Sequence, residues 1–291
     1  MSQNPEPPSP VVDSILHPSD FSAGSVVAFH HALKSALVAR SKLTVLHVSP
    51  GAAPDWTDFP GVRETLERWG LIAPGSPKSA VPALGIEVRK AVAQGSSPVS
   101  SVLRYLESHP ADLIVLATHA HEGRASWLRQ SVSEPLARKS GQMTLFLPSG
   151  TPGFVSAADG AVTLERILIP IAASPRPQPA LAAAVQMVKR LERPSGTFTL
   201  LHVGEASTMP AVQCPEVPGW QWTTVHRTGD VIHGIVDTAA KDRSDLIVMS
   251  TDGRNGFLDA LRGSHSERVL RSASCPVLTL PEGSLAAGAV E

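Results

Sequence analysis

The sequence predicts an α/β protein made of two tandem doubly wound (Rossmann-like) parallel sheets, five strands each, with flanking helices. Three observations carry this. Blocks of sequence recur in the same order in the two halves of the chain. The recurring blocks are short runs of Val, Ile, Leu and Thr, the pattern of strands buried on both faces. Between them lie Ala-rich segments with an apolar stripe at helical spacing, so strand and helix alternate and the crossovers are expected to be right-handed.

The elements follow in order. Ile15-Leu16-His17-Pro18 recurs as Ile167-Leu168-Ile169-Pro170 and reads as the first strand of each copy. Gly24 to Ala39, with Val27, Ala28, His31, Ala32, Ser35, Ala36 and Leu37 marking a largely apolar face, reads as the first helix, and Gln178 to Leu191 as its counterpart. The second strands are Leu43 to Val48 and Phe198 to Val203, both ending in Leu-His-Val. The first copy then carries about 19 more residues than the second, within the Pro, Gly and Trp-rich stretch from 49 to 85. Trp56, Trp69, Trp220 and Trp222 fall in the connections before the third strands, where packing is expected of them. Helices are expected at Pro98 to Ser108 and Val231 to Lys241, followed by the strands Ala111 to Thr118 and Ser244 to Thr251. A last helix starts near Ser131 and near Ser264, before the final strands Thr144 to Pro148 and Val277 to Pro281. These bounds give domains at 10–150 and 160–285, joined by the linker at 148–153. The two final strands are short and apolar; pairing them with each other as an internal pseudo-dimer would remove two exposed edges.

Composition removes several function classes. A chain of 291 residues suits about two domains, and 42% hydrophobic residues suffice for a core in each. Lys+Arg 25 against Asp+Glu 26 leaves a net charge of -1, and with no local basic patch a nucleic-acid partner is not expected. No apolar stretch reaches bilayer length and no leader pattern opens the chain, so neither a membrane partner nor a metal site built from Cys214 and Cys275 is expected. Two cysteines suit a reducing, cytoplasmic setting. A Gly-x-Ser-x-Gly elbow, a Walker lysine and a carboxylate pair are all missing, so no catalytic residue is assigned.

In doubly wound sheets ligands bind beyond the carboxyl ends of the strands. The loop after the fourth strand of the second copy holds Ser250, Gly253 and Arg254, and leads to Gly263-Ser264-His265-Ser266-Glu267. Glycines let a phosphate approach the backbone, and a helix start offers free N–H groups to an anion. Ser264 with Glu267 is equally an ordinary capping box. His119-Ala120-His121-Glu122 and His30-His31 read as loop and packing histidines rather than metal ligands or a catalytic pair.

The repeat, the strand order and this loop resemble the universal stress protein family over nearly the whole chain. The marks are Pro18-Ser19-Asp20, the two Leu-His-Val ends, Asp-Leu-Ile-Val before each loop, and the run Gly263 to Val269 followed by Cys275-Pro276-Val277. The resemblance implies a Gly-x2-Gly-x9-Gly-Ser/Thr loop around the phosphates of ATP, with an acidic residue after the first strand contacting the nucleoside. The second copy reads Ser250-x2-Gly253-x9-Gly263-Ser264, with Ser250 in place of the first glycine and Ala172 in place of the acid. The first copy keeps Asp20, but its loop reads Ala117-x2-Ala120-x9-Gln130-Ser131.

Two readings stand side by side, and a third, a slow ATPase, rests only on the weak hydrolysis that the resemblance implies for some members. One is a non-enzymatic stress-response protein that binds ATP or another adenine nucleotide through Ser250, Gly253, Arg254, Gly263, Ser264 and Ser266. The other is a nucleotide-free scaffold of the same fold that acts through an unidentified protein partner. Association of two chains as a homodimer is compatible with either.

Overall fold

The computed structural model describes residues 12–51, 54–118, 133–251 and 265–281, apart from the side chains of 134 and 265–267. Ten strands form one sheet in the order β3-β2-β1-β4-β5-β10-β9-β6-β7-β8. The first half supplies β1 (Ser14–Pro18), β2 (Lys42–Ser49), β3 (Glu87–Gln94), β4 (Leu113–Thr118) and β5 (Met143–Pro148). The second supplies β6 (Arg166–Pro170), β7 (Gly196–Val203), β8 (Trp220–Arg227), β9 (Leu246–Thr251) and β10 (Val277–Pro281). Within each half every pairing is parallel; β5 and β10 meet antiparallel and join the halves. The apolar runs of β4, β5 and β9 are buried along almost their whole length, as strands covered on both faces must be.

Leu145 lies opposite Leu278 across this joint, and Thr144 and Phe146 lie opposite Thr279 and Val277. Leu145 and Leu278 are the same position of the two copies, so the local two-fold passes between them. Both are 1% exposed.

One face of the sheet is covered by α1 (Ala23–Ala39), α2 (Val62–Arg68), α3 (Ala80–Ala83) and α6 (Gln178–Arg190), whose apolar residues form one cluster spanning both halves. The other face carries α4 (Pro98–Ser108), α5 (Ser133–Ser140), α7 (Val231–Lys241) and α8 (His265–Ser272) over a second continuous cluster. The helix starts have local causes. Ser22, Ser97 and Asp230 each accept a hydrogen bond from the backbone N–H three residues on, capping α1, α4 and α7. Arg40 and Glu192, one repeat apart, both turn into the left-handed region just after α1 and α6, at φ 52° and 50°.

Two carboxylates explain why Asp opens the Asp-Leu-Ile-Val blocks. Asp112 Oδ2 accepts from the backbone N–H groups of Asp13 and Ser14, both at 2.9 Å. Asp245 Oδ2 accepts from those of Glu165 and Arg166 at 2.8 and 2.7 Å. Each ties the start of a fourth strand to the start of its neighbouring first strand.

The tryptophans depart from expectation. Trp220 and Trp222 stand on β8 itself, flanking Phe198 at ring-centroid distances of 4.5 and 4.4 Å. Their polar neighbours follow the alternation of an edge strand with one solvated face, which hides the strand from a search for apolar runs. Trp69 is buried, whereas Trp56 is 59% exposed.

Candidate functional site

Because the halves join antiparallel, the carboxyl ends of β1, β2 and β4 open at one side of the molecule and those of β6, β7 and β9 at the opposite side, each outlining a crevice. In both copies a histidine latches the floor of this crevice. His47 Nδ1–H donates to the Ser19 carbonyl at 2.8 Å, and His202 Nδ1–H donates to the Ile171 carbonyl at 3.1 Å. This is the structural meaning of Leu-His-Val: the histidine ties the end of the second strand to the residue that follows the first. The sequence marks the position but not the bond, because its partner is a backbone carbonyl far along the chain.

Above the latch the halves differ. In the first half Phe21, at φ 63°, stacks on His47 with centroids 4.2 Å apart and planes 11° apart. Phe59 meets Phe21 edge-on at 5.1 Å, and Trp56 stacks on Phe59 at 5.4 Å. Aromatic rings of the chain itself thus fill the space above β1 and β2. Asp20, the acid that the resemblance assigns to a nucleoside, has Oδ1 engaged by the Ser22 backbone N–H at 3.1 Å, the Ser22 hydroxyl at 2.7 Å and the Ser25 hydroxyl. It braces the start of α1. At the end of β4 the Ala117 carbonyl accepts from Ser133 Oγ at 3.0 Å, drawing the start of α5 onto the strand.

Beneath this region sit three histidines held neutral. His17 is fully buried; its Nδ1–H donates to the Val115 carbonyl at 2.9 Å, and burial lowers its pKa to about 4. His31 Nδ1–H donates to the Val27 carbonyl, while its Nε2 accepts from the N–H groups of Phe154 and Val155 at 3.0 and 3.2 Å. Only the neutral ring can accept there, and burial lowers this pKa to about 4 as well. His30 is pushed down to about 4 by burial and then by the nearby Arg68 guanidinium.

In the second half Ala172 takes the place of Asp20 and is exposed. His202 Nε2 lies 3.1 Å from both the Glu205 carbonyl and Thr208 Oγ1, so the latch also holds a short 3-10 turn at Ala206–Thr208. At the end of β9, Ser250 is 9% exposed and its hydroxyl finds no partner among the described residues. A buried hydroxyl without a partner costs about 1–3 kcal/mol, so such a group calls for an explanation. Asp230 caps the neighbouring α7; hydrogen bonding to the His233 N–H, and the charges of His233 and Arg268, hold its carboxyl below the usual range.

Of the residues expected to form the site, only Ser250 has a described side chain. Gly253, Arg254, Gly263 and Ser264 lie outside the described residues, as do His119, Ala120, His121, Glu122 and Gln130, while Ser266 is placed by its backbone at the start of α8. Among the described residues no group of three His, Cys, Asp or Glu side chains could hold a metal ion, and no helix is long and apolar enough to cross a membrane.

The sequence profile of the universal stress protein family matches residues 12–148 and 216–281. A universal stress protein of Methanocaldococcus jannaschii is 50% identical over 46 residues, which span 16% of this chain and 27% of that relative. Among solved structures, a universal stress protein from Archaeoglobus fulgidus shares 19% identity over 92% of this chain and 98% of its own, with a TM-score of 0.59. A protein of unknown function from Pseudomonas aeruginosa PAO1 shares 15% identity over 95% of each chain, with a TM-score of 0.61. At these identities the structural likeness speaks for the fold.

Proposed function

The chain belongs to the universal stress protein family, and on that premise we propose that its second half binds ATP or another adenine nucleotide while its first half does not. The family supports a stress-response role. The observation that carries the nucleotide reading is the hydroxyl of Ser250, buried and without a described partner at the end of β9, where the glycine-bearing loop begins. A phosphate oxygen there would satisfy it, and in the sequence that follows, Gly253 and Gly263 lack the Cβ that would hinder a phosphate while Ser264 offers a hydroxyl.

The two domains of this reading are 10–150 and 160–285. The role in this reading is non-enzymatic, or at most that of a weak incidental ATPase, in keeping with the family. Cys214 and Cys275 are both free, which supports a cytoplasmic setting. The second reading, a nucleotide-free scaffold, is favoured in the first half alone, where Phe21 and Phe59 occupy the crevice. Native mass spectrometry of the purified chain with added ATP tests the proposal. One nucleotide per chain is expected, lost in Ser250→Val; binding of two, or unchanged binding in that variant, overturns the assignment to the second half.

A further inference from the structure

On the opposite side of the molecule's functional logic, the two halves enclose a cavity of about 100 Å³ between α1 and α6, above the joint of β5 and β10. It stands on the local two-fold. Leu145 and Leu278 form its floor, and its helical walls contribute equivalent positions of the two copies: Lys34 and Gln186, Val38 and Arg190. Phe154 and Val155, at the start of the second half, close one end, where His31 Nε2 holds both their backbone N–H groups. The walls are thus fixed from three sides.

The lining is overwhelmingly apolar, and its charged members, Lys34 and Arg190, are both cations; no acidic side chain takes part. Lys34 is half-buried, and burial lowers its pKa, with the Asp159 carboxylate opposing that effect. Asp159, itself exposed, offsets only part of the cost of taking this ammonium from water, and an anion at the mouth would offset the rest. The enclosed volume is somewhat below the roughly 150 Å³ of a dry cavity that accepts benzene, so it suits a short apolar body, with the remainder of a chain lying along the open side.

We propose that this two-fold groove binds an aliphatic carboxylate of about six to ten carbons, its tail over Leu145 and Leu278 and its head at Lys34. The site is separate from the nucleotide crevice and independent of that reading. Complementary charge selects the carboxylate, and apolar walls select the tail.

Calorimetric titration of the full chain with octanoate tests this, with octanol and octyltrimethylammonium as head-group controls. Octanoate is expected to bind once per chain with a dissociation constant below about 1 mM, and both controls at least tenfold more weakly. Lys34→Glu should weaken octanoate at least tenfold and leave ATP titrations unchanged. Ala183→Phe, on the α6 wall, should abolish binding; if circular dichroism shows that variant unfolded, Val38→Glu on the rim serves instead. Equal binding of octanol, no saturable octanoate binding, or an undiminished affinity in Lys34→Glu overturns the proposal. So does a dimer by light scattering that dissociates in Lys34→Glu, since the groove is then covered by a second copy.

Discussion

The two halves share a latch and differ in what stands above it. His47 and His202 make the same bond to the end of the first strand. Over His47 the chain lays Phe21, Phe59 and Trp56; at His202 the described residues supply a 3-10 turn and the His226 ring at 5.7 Å, with the buried hydroxyl of Ser250 at the end of β9. A crevice at the carboxyl ends of a parallel sheet is therefore a by-product of topology, and residues after the strands decide whether it is filled from within or left for a ligand.

Acid should separate the halves most strongly. His17 and His31 have folded pKa values of about 4 against an unfolded 6.5. Between these values the unfolded chain binds more protons, so the stability they protect is complete above pH 6.5 and drains away as pH falls toward 4. At pH 5 each should cost about 2 kcal/mol. Hydrogen exchange read by mass spectrometry is expected to show β1 and α1 losing protection at pH 5 before β6 and α6; simultaneous loss would break the comparison.

Next in size is the loop itself. Gly253→Val should weaken ATP binding about 100-fold, or about 2.7 kcal/mol, by placing a β-branched side chain where phosphate must approach. Ala120→Val in the first copy should change nothing. Calorimetry on the two variants decides, and an effect from Ala120→Val would assign binding to the wrong half.

Asp20→Ala should destabilise the chain by about 1–3 kcal/mol in urea melts, since Ser22 and Ser25 lose their common acceptor, and leave ATP affinity intact. A loss of affinity instead would restore Asp20 as a nucleoside contact. The smallest effects should be equal in the two halves. Ser97→Ala and Asp230→Ala remove equivalent helix caps and should each cost about 1 kcal/mol by the same melts.

Much of this was legible in the sequence because repeated apolar runs must become buried strands. The helices Pro98–Ser108 and Val231–Lys241 follow from pattern alone, and the partnership of the two final strands from the resemblance together with their short apolar edges. The edge strand β8 escaped, because a strand with one solvated face carries no continuous apolar run. The Asp112, Asp245, His47 and His202 contacts escaped for another reason. Their partners are backbone groups, and a backbone group has no letter in the sequence. Asp20 is tied to a nucleoside by the resemblance alone; its bonds to Ser22 and Ser25 are ones that no spacing in the sequence announces. The two-fold groove was invisible because each of its walls is an ordinary helix face until the second copy is set against it.

The Leu145–Leu278 contact has a bearing on how such a chain can change over generations. Where two identical chains pair, a single codon edits both sides of the contact, and any novelty must suit itself. Here the partners are encoded separately and tethered, so their encounter never depends on abundance. Phe21 could be adopted over one latch without appearing over the other, and Ala172 could replace an acid in one copy while Asp20 persisted in its sibling. Joining the two surfaces within one polypeptide released each copy from having to resemble the other.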